Sequence, residues 1–271
     1  MHPLTQAAPS TRTPLYRRAP SQGGFTLIEL LTVIAIILVM MGILGPALIG
    51  LKKSGDITKA AADISGVLQN ARTYATANNT YVWVGFFEED ITTSATPATQ
   101  GTGRVVLSTV ASKDGTMIYP SNITTTTTLA TSSLLQVGKL VKIDNMHLKK
   151  ATAGNATFPI GSGTGVTLDT RPYVNTNGSP VWQIGDIDTG TGTTLAQFQY
   201  PLGGTTQYTF KTAIQFSPRG EARLNDITQS LQPILEIGLQ PTHGTTVDAN
   251  NKNVAAIQIT GIAGNVKIYR R

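Results

Sequence analysis

The chain has 271 residues, with 21 basic and 15 acidic side chains, three histidines and no cysteine. Without cysteine neither a disulfide framework nor a thiolate metal site can form, and a net charge of +6 is too mild to demand nucleic acid or acidic lipid as a partner. Charged residues are 13% of the chain, against ~25% in ordinary soluble domains. Thr, Ser, Asn and Gln carry much of the polarity beside 27 glycines, the composition of an exported β-rich domain.

Residues 1–24 hold Arg12, Arg17 and Arg18 and no acid; an apolar run follows from Phe25 to Gly45 with one ionisable side chain, Glu29. As an α-helix at ~1.5 Å per residue, this run covers about 30 Å, the thickness of a bilayer's hydrocarbon core. The basic flank predicts a cytoplasmic N-terminus with the remainder across the membrane. Lys52 and Lys53, on the far side, oppose that orientation. A secretory signal peptide has a shorter apolar core with small residues after it, whereas here Gly23 and Gly24 come before the run. A carboxylate in such a segment costs roughly 2.5–3.5 kcal/mol at the centre and less near an end. Glu29 therefore has two readings. It is a helix-start carboxylate that complements the macrodipole, or it neutralises a buried cation in an assembly of apolar helices.

The stretch Gly23-Gly24-Phe25-Thr26-Leu27-Ile28-Glu29-Leu30-Leu31, with the run on to Pro46, resembles the class III signal of prepilins. These are the precursors of type IV pilins and of the pseudopilins of type II secretion. The resemblance implies that a membrane prepilin peptidase cuts between Gly24 and Phe25 and methylates the new amino terminus of Phe25. It also implies that Glu29 partners a Phe25 amine, on its own chain or a neighbour, and that Pro46 corresponds to the family's helix-bending proline. On the residues alone, Pro46 marks either a kink or a helix boundary. Loss of the leader removes three arginines and no acid, lowering the net charge from +6 to +3.

After Pro46, Ile57, Ala61, Ile64, Leu68, Ala71 and Ala75 recur at the spacing of one helical face, ending near Asn78-Asn79. That face needs a sheet to pack on. Strand signals follow at Thr80–Phe87, Val105–Val110, Leu134–Ile143, Gln207–Phe216, Ile234–Leu239 and Val254–Thr260. Gly261-Ile262-Ala263-Gly264 joins the last of these to Val266–Tyr269 as a closing hairpin. One long helix followed by many strands reads as α+β, a helix packed on an antiparallel sheet.

The stretch Asp63 to Ala77, with Leu68-Gln69-Asn70-Ala71-Arg72, is similar to the post-kink helix of the GspH/FimT branch of minor pseudopilins and minor pilins. Ile214-Gln215-Phe216-Ser217-Pro218-Arg219-Gly220-Glu221-Ala222 resembles that branch's late strand–turn–strand, and Gly264-Asn265-Val266-Lys267-Ile268 its terminal hairpin. The chain departs from the branch in its enlarged middle, residues 90–205, whose Thr124–Thr128 and Gly190–Thr194 have the composition of segments that stay partly disordered.

Catalytic chemistry is thin. His2 lies in the leader, His147 beside Lys149 and Lys150 reads as a solvated surface residue, and His243 sits in a Pro-Thr-His-Gly turn. No pair has metal-ligand spacing. Gly161-Ser162-Gly163-Thr164-Gly165 lacks the Lys-Ser/Thr ending of a phosphate loop. Asp186 and Asp188 read as turn residues, with calcium the alternative. Lys267, Arg270 and Arg271, beside Tyr269, with Arg219 and Arg223 in another late turn, could contact nucleic-acid phosphate and stack a base. The resemblance makes a DNA-binding minor pilin the alternative function, and an anchored enzyme a more distant one.

The expectation is thus a single-pass, non-enzymatic filament subunit of the bacterial inner membrane. Its parts are a leader (1–24), a transmembrane assembly helix (25–45), an amphipathic helix (46–79) and an extracytoplasmic β-rich domain (80–271). By the same resemblance its partners are other pilin or pseudopilin subunits, the prepilin peptidase, an inner-membrane assembly platform and the lipid bilayer. No cofactor and no metal are expected.

Overall fold

The computed structural model describes residues 24–118, 127–149, 157–158, 166–168, 182–184, 196–225, 231–247 and 251–270. The side chains of 43–55, 157–158, 166–167, 182–184 and 196 lie outside the described residues. The chain divides into two units, Met1–Ile49 and Gly50–Arg271. Helix α1 (Leu27–Ala77) starts in the first and ends in the second.

In the first unit the described side chains from Phe25 to Met41 are exposed, and nearly all are apolar. Among the described residues, no helix is long and apolar enough to cross a membrane. The α1 assignment runs through position 46, while the side chain of Pro46 falls outside the described residues.

In the second unit, the α1 positions picked out by the helical spacing bury: Ile57, Ala61, Ile64, Leu68, Ala71 and Ala75, joined by Ala60, are all at most 1% exposed. Four of the seven are alanines on this face, so the helix lies close to the sheet. Asn79 ends the helical segment in the left-handed region, at φ 50, a conformation asparagine tolerates better than most residues.

Among the described residues sixteen strands follow. Those before the middle are β1 (Val82–Asp90), β2 (Gly103–Ser112), β3 (Thr127–Thr128), β4 (Leu134–Gln136) and β5 (Val141–Leu148). The middle carries β6 (Thr157–Phe158), β7 (Val166–Thr167), β8 (Trp182–Ile184), β9 (Ala196–Tyr200) and β10 (Tyr208–Phe210). The last six are β11 (Thr212–Phe216), β12 (Ala222–Leu224), β13 (Ile234–His243), β14 (Thr246–Val247), β15 (Ala255–Thr260) and β16 (Val266–Arg270). The main sheet runs β12-β11-β1-β2-β5-β13-β15-β16, with β4 on β2 and β8 and β14 on β13. Its pairings are antiparallel except for β8 with β13. The expected α+β architecture, a helix packed on a large antiparallel sheet, is what forms.

Strand periodicity sorts the sheet's two faces. Val82, Val84 and Phe86 of β1 join Val105 and Leu107 of β2, Ile143 of β5, Ile237 and Leu239 of β13 and Ile257 of β15 in one core with the α1 residues. The intervening positions, Trp83 of β1 with Val106 and Val110 of β2, build a second core with Leu129, Leu134, Phe198, Tyr208, Phe210 and Ala213. A small sheet, β10-β9-β3, supplies Phe198, Tyr208 and Phe210 to that core. Gly85 makes room for it. A Cβ there would lie 2.6 Å from Phe198 Cζ and 2.7 Å from Phe210 Cβ, where the two rings stack at 5.0 Å.

Two expected strands are corrected. The run Leu134–Ile143 splits into β4 and β5, both paired along β2 but interrupted at residues 137–140 opposite Ser108 and Thr109. Gly138, at φ 77, permits the interruption. The run Gln207–Phe216 splits at Lys211, with β10 in the small sheet and β11 in the main one. Asn225 stabilises that switch, accepting from the Ala213 amide at 2.6 Å and donating to the Lys211 carbonyl at 2.9 Å. Within 90–205, β2, β4 and β5 fall in the expected strand runs and β9 adds a strand that the sequence did not mark; all four carry core residues. Thr124–Thr126 and Gly190–Thr194 lie outside the described residues.

Candidate assembly site at the amino-terminal helix

Gly24, Phe25 and Thr26 precede the first helical residue, Leu27. A helix start leaves its first amides without intrahelical partners, and this start meets the demand with a reciprocal box. Glu29 Oε2 accepts from both the Thr26 amide and the Thr26 hydroxyl at 2.8 Å. The Glu29 amide in turn donates to Thr26 Oγ1 at 3.4 Å. Thr26 is thus the N-cap and Glu29 the third helical residue of a capping box, a geometry that also places the carboxylate at the positive end of the helix dipole. Oε1 of Glu29 accepts no hydrogen bond among the described residues, so one oxygen remains able to meet a cation. The role of Thr26 was readable in the Thr-x-x-Glu spacing at 26–29.

The surface around this carboxylate is apolar on every side. Phe25 is 85% exposed and Leu27 83%, and the large apolar residues from Ile28 to Met41 are exposed with them. The one hydroxyl on the next turn, Thr32, donates to the Ile28 carbonyl at 2.7 Å, which satisfies it inside the helix. A contiguous apolar surface of this kind is not stable in water and marks a membrane or protein contact. The Gly24–Phe25 bond lies at its end, with Gly24 exposed and, among the described residues, no atom within 4 Å of a Cβ placed there.

The basic residues near the C-terminus occupy β16, at one end of the main sheet's order. Lys267 is exposed and its ammonium lies 4.8 Å from the Tyr269 ring centroid. The Arg270 guanidinium donates to the Thr58 hydroxyl of α1, tying the last strand to the helix. Arg271 lies outside the described residues. In the other late turn, Arg223 pairs with Glu221 at 3.2 Å while Arg219 is exposed. Lys267 and Arg219 are therefore on the surface, whereas Arg223 and Arg270 already have partners within the fold.

His147 is not the solvated residue its lysine neighbours suggest. It is 6% exposed, and its Nδ1 lies 2.9 Å from Oε1 of Glu88, itself 4% exposed. It sits within β5, where the chain is covered, and the lysines come only after the strand ends. His243 is exposed at the end of β13. Among the described residues no group of three or more His, Cys, Asp or Glu side chains is placed to hold a metal ion. Gly161–Gly165, Asp186 and Asp188 lie outside the described residues.

Comparison with known families places a match where this geometry lies. The model of the prokaryotic N-terminal methylation motif matches residues 20–45. No curated protein and no solved structure matches the chain. The matched segment contains the Gly24–Phe25 bond, the Thr26–Glu29 box and the exposed apolar helix, and it supports a type IV prepilin-like protein that prepilin peptidase processes.

Proposed function

We propose that this chain is a minor pilin or minor pseudopilin of the GspH/FimT kind, a structural subunit of a type IV pilus-like or type II secretion filament rather than an enzyme. In this reading prepilin peptidase cuts after Gly24 and methylates the Phe25 amine. The helix from Phe25 to Gly45 resides in the inner membrane before assembly, with its N-terminus cytoplasmic, and then packs laterally against the helices of other subunits. Burial of the new amine in that bundle is costly unless a carboxylate meets it. Glu29 is the carboxylate available. The sheet domain remains outside the membrane, and an assembly platform in the inner membrane supplies the subunits.

The observation that carries this reading is the convergence at one helix start of the Gly24–Phe25 bond and a capped carboxylate. It heads a helix whose exposed surface is apolar on all sides. The test is Glu29→Ala in the native host. Mature protein starting at Phe25 should still accumulate in the membrane while its incorporation into sheared filaments is lost. Wild-type incorporation of the variant would remove the assembly role of Glu29.

A further inference from the structure

Arg72 of α1 lies against two turns that are distant in sequence. Each presents a glycine in the left-handed region, Gly220 at φ 81 and Gly264 at φ 61. A Cβ at Gly220 would lie 3.2 Å from Arg72 Nε and 3.7 Å from Nη2, and one at Gly264 would lie 2.9 Å from Cδ. The half-buried side chain is therefore held along its length, with Nε enclosed and making no hydrogen bond. Its Nη groups are not enclosed, and among the described residues they have no hydrogen bond or ion pair. We propose that the Arg72 guanidinium is a docking site for the Asp56 carboxylate of a second copy of this chain, and so sets the stagger between neighbouring copies in a filament.

The pairing of charges across the second unit singles out these two side chains. Among the described arginines, Arg104, Arg223 and Arg270 have partners within the fold. Arg72 and Arg219 do not, and Arg219, exposed, directly precedes Gly220, so the turn brings two unpaired arginines to one part of the surface. Ile262, 73% exposed, belongs to the other turn. The acid beside them, Glu221, is engaged by Arg223 at 3.2 Å. Asp56 is exposed and has no hydrogen bond or ion pair among the described residues, whereas every other described acid of the second unit has one. Lys59, one turn further along, is paired with Asp63 at 2.9 Å. A guanidinium already held in place offers a carboxylate two N–H donors side by side, with little conformational freedom left to lose.

Within one molecule the two groups cannot meet. They lie about 24 Å apart along α1, at ~1.5 Å per residue, and on opposite flanks of its buried face. A second copy with its helix parallel and displaced by that distance brings its Asp56 to Arg72. Donor and acceptor are then different patches, so each copy offers Arg72 to one neighbour and Asp56 to the next. Head-to-tail contact of this kind propagates into an open helical array unless the rotation closes a ring. Such an array presupposes the filament-subunit reading above and adds that copies of this chain adjoin one another within it.

The test is zero-length carbodiimide cross-linking of sheared filaments from the native host carrying Arg72→Lys. This substitution keeps the cation and supplies a primary amine that the reagent joins to a touching carboxylate. The expected product is a band at twice the mass of the mature chain, whose digest links the peptide around position 72 to the peptide around Asp56. Links only to other carboxylates, Glu221 of the adjacent turn included, links only to a different protein, or no link at all overturn the proposal. A charge exchange gives a second readout. Asp56→Arg and Arg72→Glu should each lower incorporation into filaments by about tenfold, and the double variant should restore it. Unchanged incorporation of the single variants, or a double variant no better than either, overturns the proposal; should Arg72→Glu not accumulate, the cross-link decides alone. The mature amino terminus and the presence of the wild-type chain in filaments are scored in the same samples. Absence from filaments overturns the filament reading together with this contact, whereas presence without the Asp56 link overturns the contact alone.

Discussion

Replacing Gly264 by alanine gives the sharpest quantitative test of the packing between α1 and the closing hairpin. Gly264 sits at φ 61 in the turn between β15 and β16. A Cβ there would lie 2.2 Å from the Gly220 carbonyl oxygen and 2.9 Å from Arg72 Cδ. Two costs follow. The left-handed conformation costs an L-residue roughly 1–2 kcal/mol. The overlap with a backbone carbonyl adds about 1–3 kcal/mol, the usual range for overpacking, because the oxygen belongs to another turn and cannot swing aside. The sum is roughly 2–5 kcal/mol. Gly138 provides the control, since it has φ 77 but no atom within 4 Å of its Cβ position. Gly138→Ala should therefore cost only the conformational part, about 1–2 kcal/mol. The assay is chemical denaturation of each variant at one pH with matched m-values. Equal losses at the two sites would refute the argument that the hairpin is pressed against Arg72 and the Gly220 turn.

Three further outcomes follow from the same structure. Leu68→Ala empties a fully buried position between α1 and the sheet and should lower unfolding free energy by about 2–5 kcal/mol, measured by denaturant titration; a loss under 1 kcal/mol would place that face elsewhere. Gly85→Ala should be destabilising because its Cβ meets Phe198 and Phe210, and combined with Phe198→Ala the losses should fall short of additive in a double-mutant cycle; strict additivity would separate the small sheet from Gly85. Asp114 is held down at about 2 by the Thr116 hydroxyl and amide and by Ser112. A depressed carboxyl stabilises the fold above its ordinary range and loses that contribution as pH falls through about 2. The stability gap between wild type and Asp114→Asn should therefore shrink from pH 4 downwards, and a gap that widens in acid contradicts the loop geometry.

Much of the fold could be read from residue spacing, because helical and strand periods dominate where apolar residues are frequent. The Ile57–Ala75 face was visible since its residues recur at three and four and all bury. The second layer was not. Val105 and Val106 lie on opposite faces of β2 and both bury, so the apolar run carried a sign of cover on both sides. Its partner β9, Ala-Gln-Phe-Gln-Tyr, stood out little beside a Thr/Gly-rich tract. The split at Lys211 has no glycine or proline to announce it; Asn225, distant in sequence, holds the backbone there. His147 was misjudged because its lysine neighbours follow the strand end rather than share its surroundings. At the assembly site Glu29 was evident from its isolation in an apolar run, whereas Thr26 had to be seen as half of a hydrogen-bonded pair.

The central claim, that this chain is a processed filament subunit, is tested most directly by mass spectrometry of its amino terminus after purification from the native membrane. The account predicts a mature chain beginning at Phe25 and heavier by one methyl group. An intact Met1, or cleavage beyond Pro46, would contradict it and leave the Thr26–Glu29 box as no more than the cap of an anchoring helix.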